Sequence, residues 1–215
     1  MYSTMSRPAL IQQLHQRLTD GVLPGPESHF QMAHPIRKAD STREIKVKRE
    51  AGVLITLFEK SSNDLHLIFI KRSSVALQDK HAGQIAFPGG KFEEGDRDLM
   101  YTALREAHEE IDLDLTRVDV LGSLTPLFIS VSKFMVYPYV AFTDRQPVLK
   151  KQDAEIDQII ILPLAVFRSS VAKQKTQIQV AHKIALNHVP CFNIDGHIIW
   201  GATAMIMNEL LDTIA

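Results

Sequence analysis

The stretch GGKFEEGDRDLMYTALREAHEEIDL, residues 89–113, decides how the rest of the chain is read. Leu99, Ala103, Ala107 and Ile111 recur every four residues and form one apolar stripe, which Met100 and Leu104 widen. This spacing predicts a helix over 97–111. Asp96 stands at the N-cap position, Asp98 near the positive end, and Asp112 at the left-handed residue that closes the helix. The polar side carries Glu106, Glu109 and Glu110. Glu106 and Glu110 are four apart and stack on one face, with Glu109 beside them. Three negative charges in one turn repel each other and lie at the helix's negative end. Taken alone, such a cluster is a solvated acidic face. Two neighbours point elsewhere. Arg105 can reach Glu109 one turn on, and Gly89-Gly90 makes a turn that brings backbone close to a bound ion and leaves room for a phosphate. A strand, a glycine turn, a loop and a helix with R-E-x-x-E-E describe a site for a hard divalent cation, Mg²⁺ or Mn²⁺.

Outward from this helix the chain is mostly strands. AGVLITLFE and LHLIFIKR are β-rich runs separated by the turn-rich KSSNDL, which predicts a hairpin or meander. IAFPGG is a short strand entering the glycine turn. VDVLGSLTPLFI, FMVYPYVAFT and QIIILPL read as further strands, and 163–172 as a short helix. IQVAHKIALNHVPCFNIDGHIIWG reads as strands around an IDGH turn, and TAMIMNELLDTIA as an apolar-faced helix, 203–213. Near the N-terminus Leu10, Ile11, Leu14 and Leu18 mark a helix over 7–19. That helix can pack on its own body or on a partner, while residues 20–45, punctuated by Gly21, Pro24, Gly25, Pro26 and Pro35, keep no period and read as an irregular arm wrapped on the body. The order suits a mixed sheet between helices, with an N-terminal helix and irregular arm at 1–44 ahead of a body at 45–215.

Composition narrows the class. The chain has 215 residues, 45% hydrophobic and 23% charged, an ordinary globular balance. With 24 Lys plus Arg against 25 Asp plus Glu, the net charge of -1 gives no support for bulk binding to nucleic acid or an acidic membrane, though a local basic pocket stays open. Cys191 is single, so no CxxC pair exists, and it reads as a buried small hydrophobe. The most apolar stretch, Ile159 to Phe167, contains Pro163 and is far short of the ~20 residues a membrane span needs. A soluble, cytoplasmic protein is expected.

The central stretch resembles the Nudix hydrolase signature, G-x5-E-x7-R-E-U-x-E-E-x-G-U, where U is aliphatic. REAHEE matches through Arg105, Glu106, Glu109 and Glu110. The loop is one residue longer: the signature glycine would fall on Lys91, whereas the glycine is Gly90. The signature glutamate would fall on Arg97, with Glu93, Glu94 and Asp96 nearby, and the closing glycine is Asp112. These departures, together with HAGQIAFPGG, SLTPLFISVSKFMVYPYVAF and IIWGATA, are similar to the coenzyme A diphosphatase branch of that family. Asp79 stands where that branch carries an arginine, and Arg72-Ser73 lies about two residues farther off than its R-S element.

The resemblance implies an α/β fold, a Nudix-type α/β/α sandwich with a mixed β-sheet. It implies a metal-dependent hydrolase that cleaves the diphosphate of coenzyme A or acyl-CoA to 3′,5′-ADP and (acyl-)4′-phosphopantetheine. The alternatives are another nucleoside diphosphate-X substrate, such as ADP-ribose, a nucleotide sugar or a dinucleotide, and a non-catalytic Nudix-fold binding protein. On this reading Glu106 and Glu110 are primary ligands of Mg²⁺ or Mn²⁺. Glu109 is a third ligand or a water-bridged one, and Gly90 or Gly89 offers a backbone carbonyl. Arg105 orients the acids, and Glu93 and Asp96 shape the loop, bind an outer ion or cap in solvent. The general base is Glu155, chosen among the loop acids Asp153, Glu155 and Asp157. Arg72, Lys80, His81 and Lys91 are candidates to meet the substrate's phosphates. No dimer signal is specific, and a homodimer stays open.

Overall fold

The computed structural model describes residues 8–40, 47–73, 81–169, 171–180 and 184–215. The body is an eight-stranded mixed sheet. β1 (Arg49–Ser61) and β2 (Asp64–Arg72) form an antiparallel hairpin around a two-residue turn. β1 also runs parallel to β7 (Phe134–Thr143), from Arg49↔Phe134 to Phe58↔Thr143. β3 (Ile85–Ala86) and β8 (Ile156–Pro163) pair with β2, β4 (Gly89–Lys91) pairs with β1, and β5 (Asp119–Ser123) and β6 (Leu127–Ile129) pair with β7.

β1 is apolar on both faces, as its unbroken run AGVLITLF requires of a central strand. Leu54 and Phe58 point to one side and pack with Ile68, Ile70, Ala103, Ala107 and Ile111. Ile55 and Leu57 point to the other and join Phe69, Val140, Phe142 and residues of α1 (Ala9–Asp20) and α6 (Gly201–Thr213). Helices on both faces make the α/β/α sandwich. A second, three-stranded sheet, β9 (Lys173–Val180), β10 (Ile184–Ile194) and β11 (His197–Trp200), follows the short α5 (Leu164–Phe167) and leads into α6.

The site-bearing helix, α4, spans Leu99–Ile111, two residues later than its spacing predicts. Its N-cap is Asp98, whose side chain accepts from the Tyr101 N–H at 2.7 Å, and not Asp96. Asp112 closes it at φ 54, the left-handed conformation expected of it. What sets the depth of α4 is Gly52 on β1. A Cβ at Gly52 would fall 2.3 Å from the Leu99 carbonyl oxygen and 2.9 Å from the Ala103 nitrogen, so the helix lies directly on strand backbone.

The arm corrects the sequence reading. Residues 20–45 contain α2 (Pro26–Gln31) and α3 (Pro35–Asp40), whose Pro26 and Pro35 stand at the first helical positions, where a missing N–H is harmless. α2 packs on α6, and Glu209 of α6 is fully buried there. Its carboxylate accepts from His29 at 2.7 Å and from the N–H groups of Gly25 and Thr125 at 3.2 Å. Burial would push the Glu209 carboxyl up, but the hydrogen bonds from His29 and Thr125 outweigh it and hold the group below its ordinary value. This explains why α6 is buried on more than its apolar face. Cys191 is a buried free thiol, as its surroundings predict.

Gly52→Ala should destabilise the fold by about 1–3 kcal/mol or more, because neither the Leu99 carbonyl nor the Ala103 backbone can move aside cheaply. Denaturant unfolding measures this, and an unchanged midpoint would show that α4 is not seated by that contact.

Candidate active site

The glycine turn and α4 meet as backbone against carboxylate. β4 is held to β1 by Gly52↔Gly90 and Val53↔Gly89. From there the Gly89 N–H donates to Glu110 Oε2 at 2.9 Å. A Cβ on Gly90 would lie 2.4 Å from the Glu106 carboxylate, so the absent side chain is the space that Glu106 occupies. Glu110 is 2% exposed, and burial pushes its carboxyl up to about 8. The Gly89 hydrogen bond and the Arg72 charge oppose that rise, while Glu106 and Glu155 add to it. Glu106 is also raised, first by burial, with Arg105 opposing and Glu109 and Glu155 adding.

Arg105 organises the acids. Its Nε and Nη2 donate to Asp96 Oδ1 and Oδ2 at 2.8 and 3.0 Å, a bidentate pair. Nη1 donates to Glu109 Oε2 at 2.9 Å and lies 3.1 Å from Glu106 Oε1, and Nη2 also reaches the Lys91 carbonyl at 3.3 Å. Asp96 is buried and accepts further from the Thr102 hydroxyl at 2.8 Å and the Glu93 N–H at 3.0 Å. The Arg105 hydrogen bonds hold Asp96 well below the usual carboxylate range and raise Arg105 in turn. Asp96 is therefore neither a helix cap nor a solvent-facing loop acid. The signal for this was weak in sequence: an acid nine residues before Arg105, one place short of the signature position. Glu93 is exposed.

The loop before β8 closes the other side. The Gln152 N–H donates to the Glu110 carbonyl at 2.9 Å and the Lys150 N–H to that of Ile111 at 3.0 Å. The Ser73 N–H donates to the Glu155 carbonyl at 2.7 Å, beside Arg72. Glu155 is exposed, and its charge acts on both Glu106 and Glu110. Asp153 pairs with Lys151 instead. Arg72 Nη1 lies 3.7 Å from Glu110 Oε1. His81 shares a 3.2 Å hydrogen bond with Gln84 in a turn tied to Arg72 through Gly83 N–H and Arg72 carbonyl at 3.1 Å. The Lys91 side chain is exposed at the end of β4. Lys80, like Asp79, lies outside the described residues.

The structure thus brings Gly89, Gly90, Glu106, Glu110, Arg72 and Glu155 to one place and turns Glu109 toward Arg105. Among the described residues no three His, Cys, Asp or Glu side chains form a finished cation cage. Two carboxylates beside glycine backbone, with space kept open by an absent Cβ, fit a hard divalent cation completed by backbone, water and substrate oxygens.

Asp96→Asn should cost about 3 kcal/mol by leaving Arg105 short of its buried partner. Because the folded-state Asp96 carboxyl is depressed, its stabilisation is full above about pH 5 and is lost as pH falls below about 4. Unfolding of wild type and variant across that range should show their difference constant above pH 5 and shrinking below pH 4.

The NUDIX domain model matches residues 48–182, more than half of the chain. An Arabidopsis thaliana protein named Nudix hydrolase 22, chloroplastic, is 36% identical over 163 residues, 74% of this chain and 53% of its own length. A Pectobacterium atrosepticum protein named as an uncharacterized Nudix hydrolase, NudL, is 32% identical over 183 residues, 85% of this chain and 90% of its own. The chain therefore spans about half the length of the plant relative and nearly all of the bacterial one. Among solved structures, a C. elegans Ap4A hydrolase complex aligns with a TM-score of 0.46 and 16% identity, over 55% of this chain and 82% of that one. With the matched segment containing the glycine turn, α4 and the Glu155 loop, the chain belongs to the Nudix hydrolase family.

Proposed function

We propose that this chain is a divalent-cation-dependent diphosphatase acting on coenzyme A or an acyl derivative, releasing 3′,5′-ADP and (acyl-)4′-phosphopantetheine. The observation that carries the hydrolytic part is the apposition of Glu106 and Glu110 to the Gly89-Gly90 backbone. A phosphoanhydride lies between two anionic phosphates that repel a nucleophile. A bound Mg²⁺ or Mn²⁺ would neutralise phosphate oxygens and lower the pKa of a coordinated water. Glu106 and Glu110 would hold it, with a carbonyl of Gly90 or Gly89, and Glu109 would act through water or through Arg105. Asp96 fixes Arg105, and Arg105 fixes Glu106 and Glu109, so the acids keep their places before substrate arrives.

Glu155 is the general base in this reading. Its loop is tied to the end of α4, its charge acts on both ligand carboxylates, and it is exposed enough to take a proton from water and pass it to solvent. Arg72, with His81 and Lys91, faces the substrate's negative charge from the strand ends, and Lys80 belongs to the same set by sequence. Coenzyme A is favoured by the HAGQIAFPGG, SLTPLFISVSKF and IIWGATA segments. Asp79, where that branch has arginine, supports the second reading, a different nucleoside diphosphate-X substrate. A cytoplasmic setting completes the proposal. No helix among the described residues is long and apolar enough to cross a membrane.

Glu110→Gln should lower turnover by several orders of magnitude while the unfolding midpoint stays near that of wild type. Glu155→Gln should lower kcat about 10²–10⁴-fold with little change in KM. A panel of coenzyme A, ADP-ribose, NADH, nucleotide sugars and diadenosine polyphosphates, with products resolved, tests the substrate. Coenzyme A left intact while another compound is cleaved would transfer the assignment to the second reading. Near-native activity of Glu110→Gln with either metal would remove the ligand assignment.

A further inference from the structure

Far along the sheet from Lys60 and the β1–β2 turn, three segments converge on one surface: α3, the chain entering β1, and the turn between β6 and β7. The Lys48 N–H donates to the Lys133 carbonyl at 3.1 Å, and Arg49 Nη2 to that of Ser132 at 3.2 Å. Arg37 donates to the Phe128 carbonyl. Three aliphatic side chains stand out into solvent here: Val131 is 68% exposed, Ile36 59% and Val47 42%. Around them are the exposed Lys48, Arg49 and Lys133, while Arg37 is largely buried with its guanidinium turned to the Phe128 carbonyl. Among the described residues none of these four cations has a carboxylate partner. Aromatic rings seat two of them: the Arg49 guanidinium lies 4.6 Å from the Phe134 centroid and the Lys133 ammonium 5.9 Å from that of Phe128. The adjacent Glu50 is engaged by the Tyr137 hydroxyl at 2.9 Å.

We propose that this surface docks the protein peripherally on an anionic lipid bilayer, with Val131 at the tip of its turn entering the headgroup layer and the surrounding cations meeting lipid phosphates. The chemistry is that of an interfacial anchor: a few aliphatic groups ringed by basic ones. A protein partner fits less well. Three aliphatic side chains offer much less than the roughly 800 Å² per partner of a stable protein interface, and none of the three is a Trp or Tyr anchor. Cations with no carboxylate partner among the described residues, by contrast, gain from a diffuse sheet of negative charge without needing matched geometry.

Co-sedimentation of the full chain with extruded vesicles tests this, using phosphatidylcholine alone and phosphatidylcholine with phosphatidylglycerol. At low salt the protein should sediment with the anionic vesicles and not with the neutral ones, and added salt should release it. Val131→Ser and Lys48→Glu/Lys133→Glu should each weaken binding at least about tenfold. Lys60→Glu, the same type of charge reversal at the other end of β1, should bind as wild type does. All variants should keep the wild-type unfolding midpoint, since the substituted side chains are exposed. Equal binding to neutral vesicles, no binding to anionic ones, or binding untouched by both patch variants would overturn the proposal. Retention on an acidic polypeptide without any vesicle binding would overturn it in favour of a protein partner.

Discussion

The distance between α4 and the strands beneath it governs everything else in this molecule. A carboxylate can rest against strand backbone only if the helix comes within reach of it. Here that closeness is obtained by deleting side chains at the contact. Gly52 admits the Leu99 carbonyl and Ala103, Gly90 admits the Glu106 carboxylate, and Gly89 turns its N–H to Glu110. Ala103 and Ala107 keep the helix's own face thin. The apolar stripe of α4 and the acidic cluster on its flank are therefore one arrangement. The first sets the depth at which the second can act.

Such depth carries an electrostatic penalty, and the site manages it with two cations. Glu110 is buried with Arg72 as its near counter-charge, and its carboxyl is still pushed up. Glu106 and Glu109 share Arg105, which is itself anchored by Asp96. Asp96 takes hydrogen bonds from Arg105, Thr102 and the Glu93 backbone, so it stays ionised deep in the structure. The loop between β4 and α4 is thus organised around a buried carboxylate that touches no substrate in the proposed mechanism. Its effect on Glu106 and Glu109 passes through the Arg105 guanidinium.

What could be read in advance follows from range along the chain. The stripe of α4, its left-handed close at Asp112, the β1–β2 hairpin and the IDGH turn are local patterns, and each stands where local spacing puts it. The convergence of Glu106 and Glu110 on a glycine turn was also legible, because the turn and helix are close neighbours in sequence. Gly52 was not, since its partner lies nearly fifty residues away and nothing in AGVLITLF marks that position as a helix seat. Asp96 was misread as a cap because capping is a local rule, whereas its burial depends on Arg105 folding back across the loop. The two short helices of the arm were hidden by the same prolines that begin them. Glu209 sits within a mostly apolar helix, and its donors come from Gly25, His29 and Thr125, all remote in sequence.

That last cluster bears on how the protein can be cut. The family-matched segment runs from 48 to 182, and both the arm that carries His29 and the helix that carries Glu209 lie beyond it. An excised minimal fragment with those boundaries would leave one side of the sheet bare, with Phe69, Val140 and Phe142 facing water where α1 and α6 had covered them. Restoring α6 without the arm would deprive a deeply placed carboxylate of two donors at once. The arm and α6 are therefore a single closure of the sandwich, and a shortened version of this protein has to retain both.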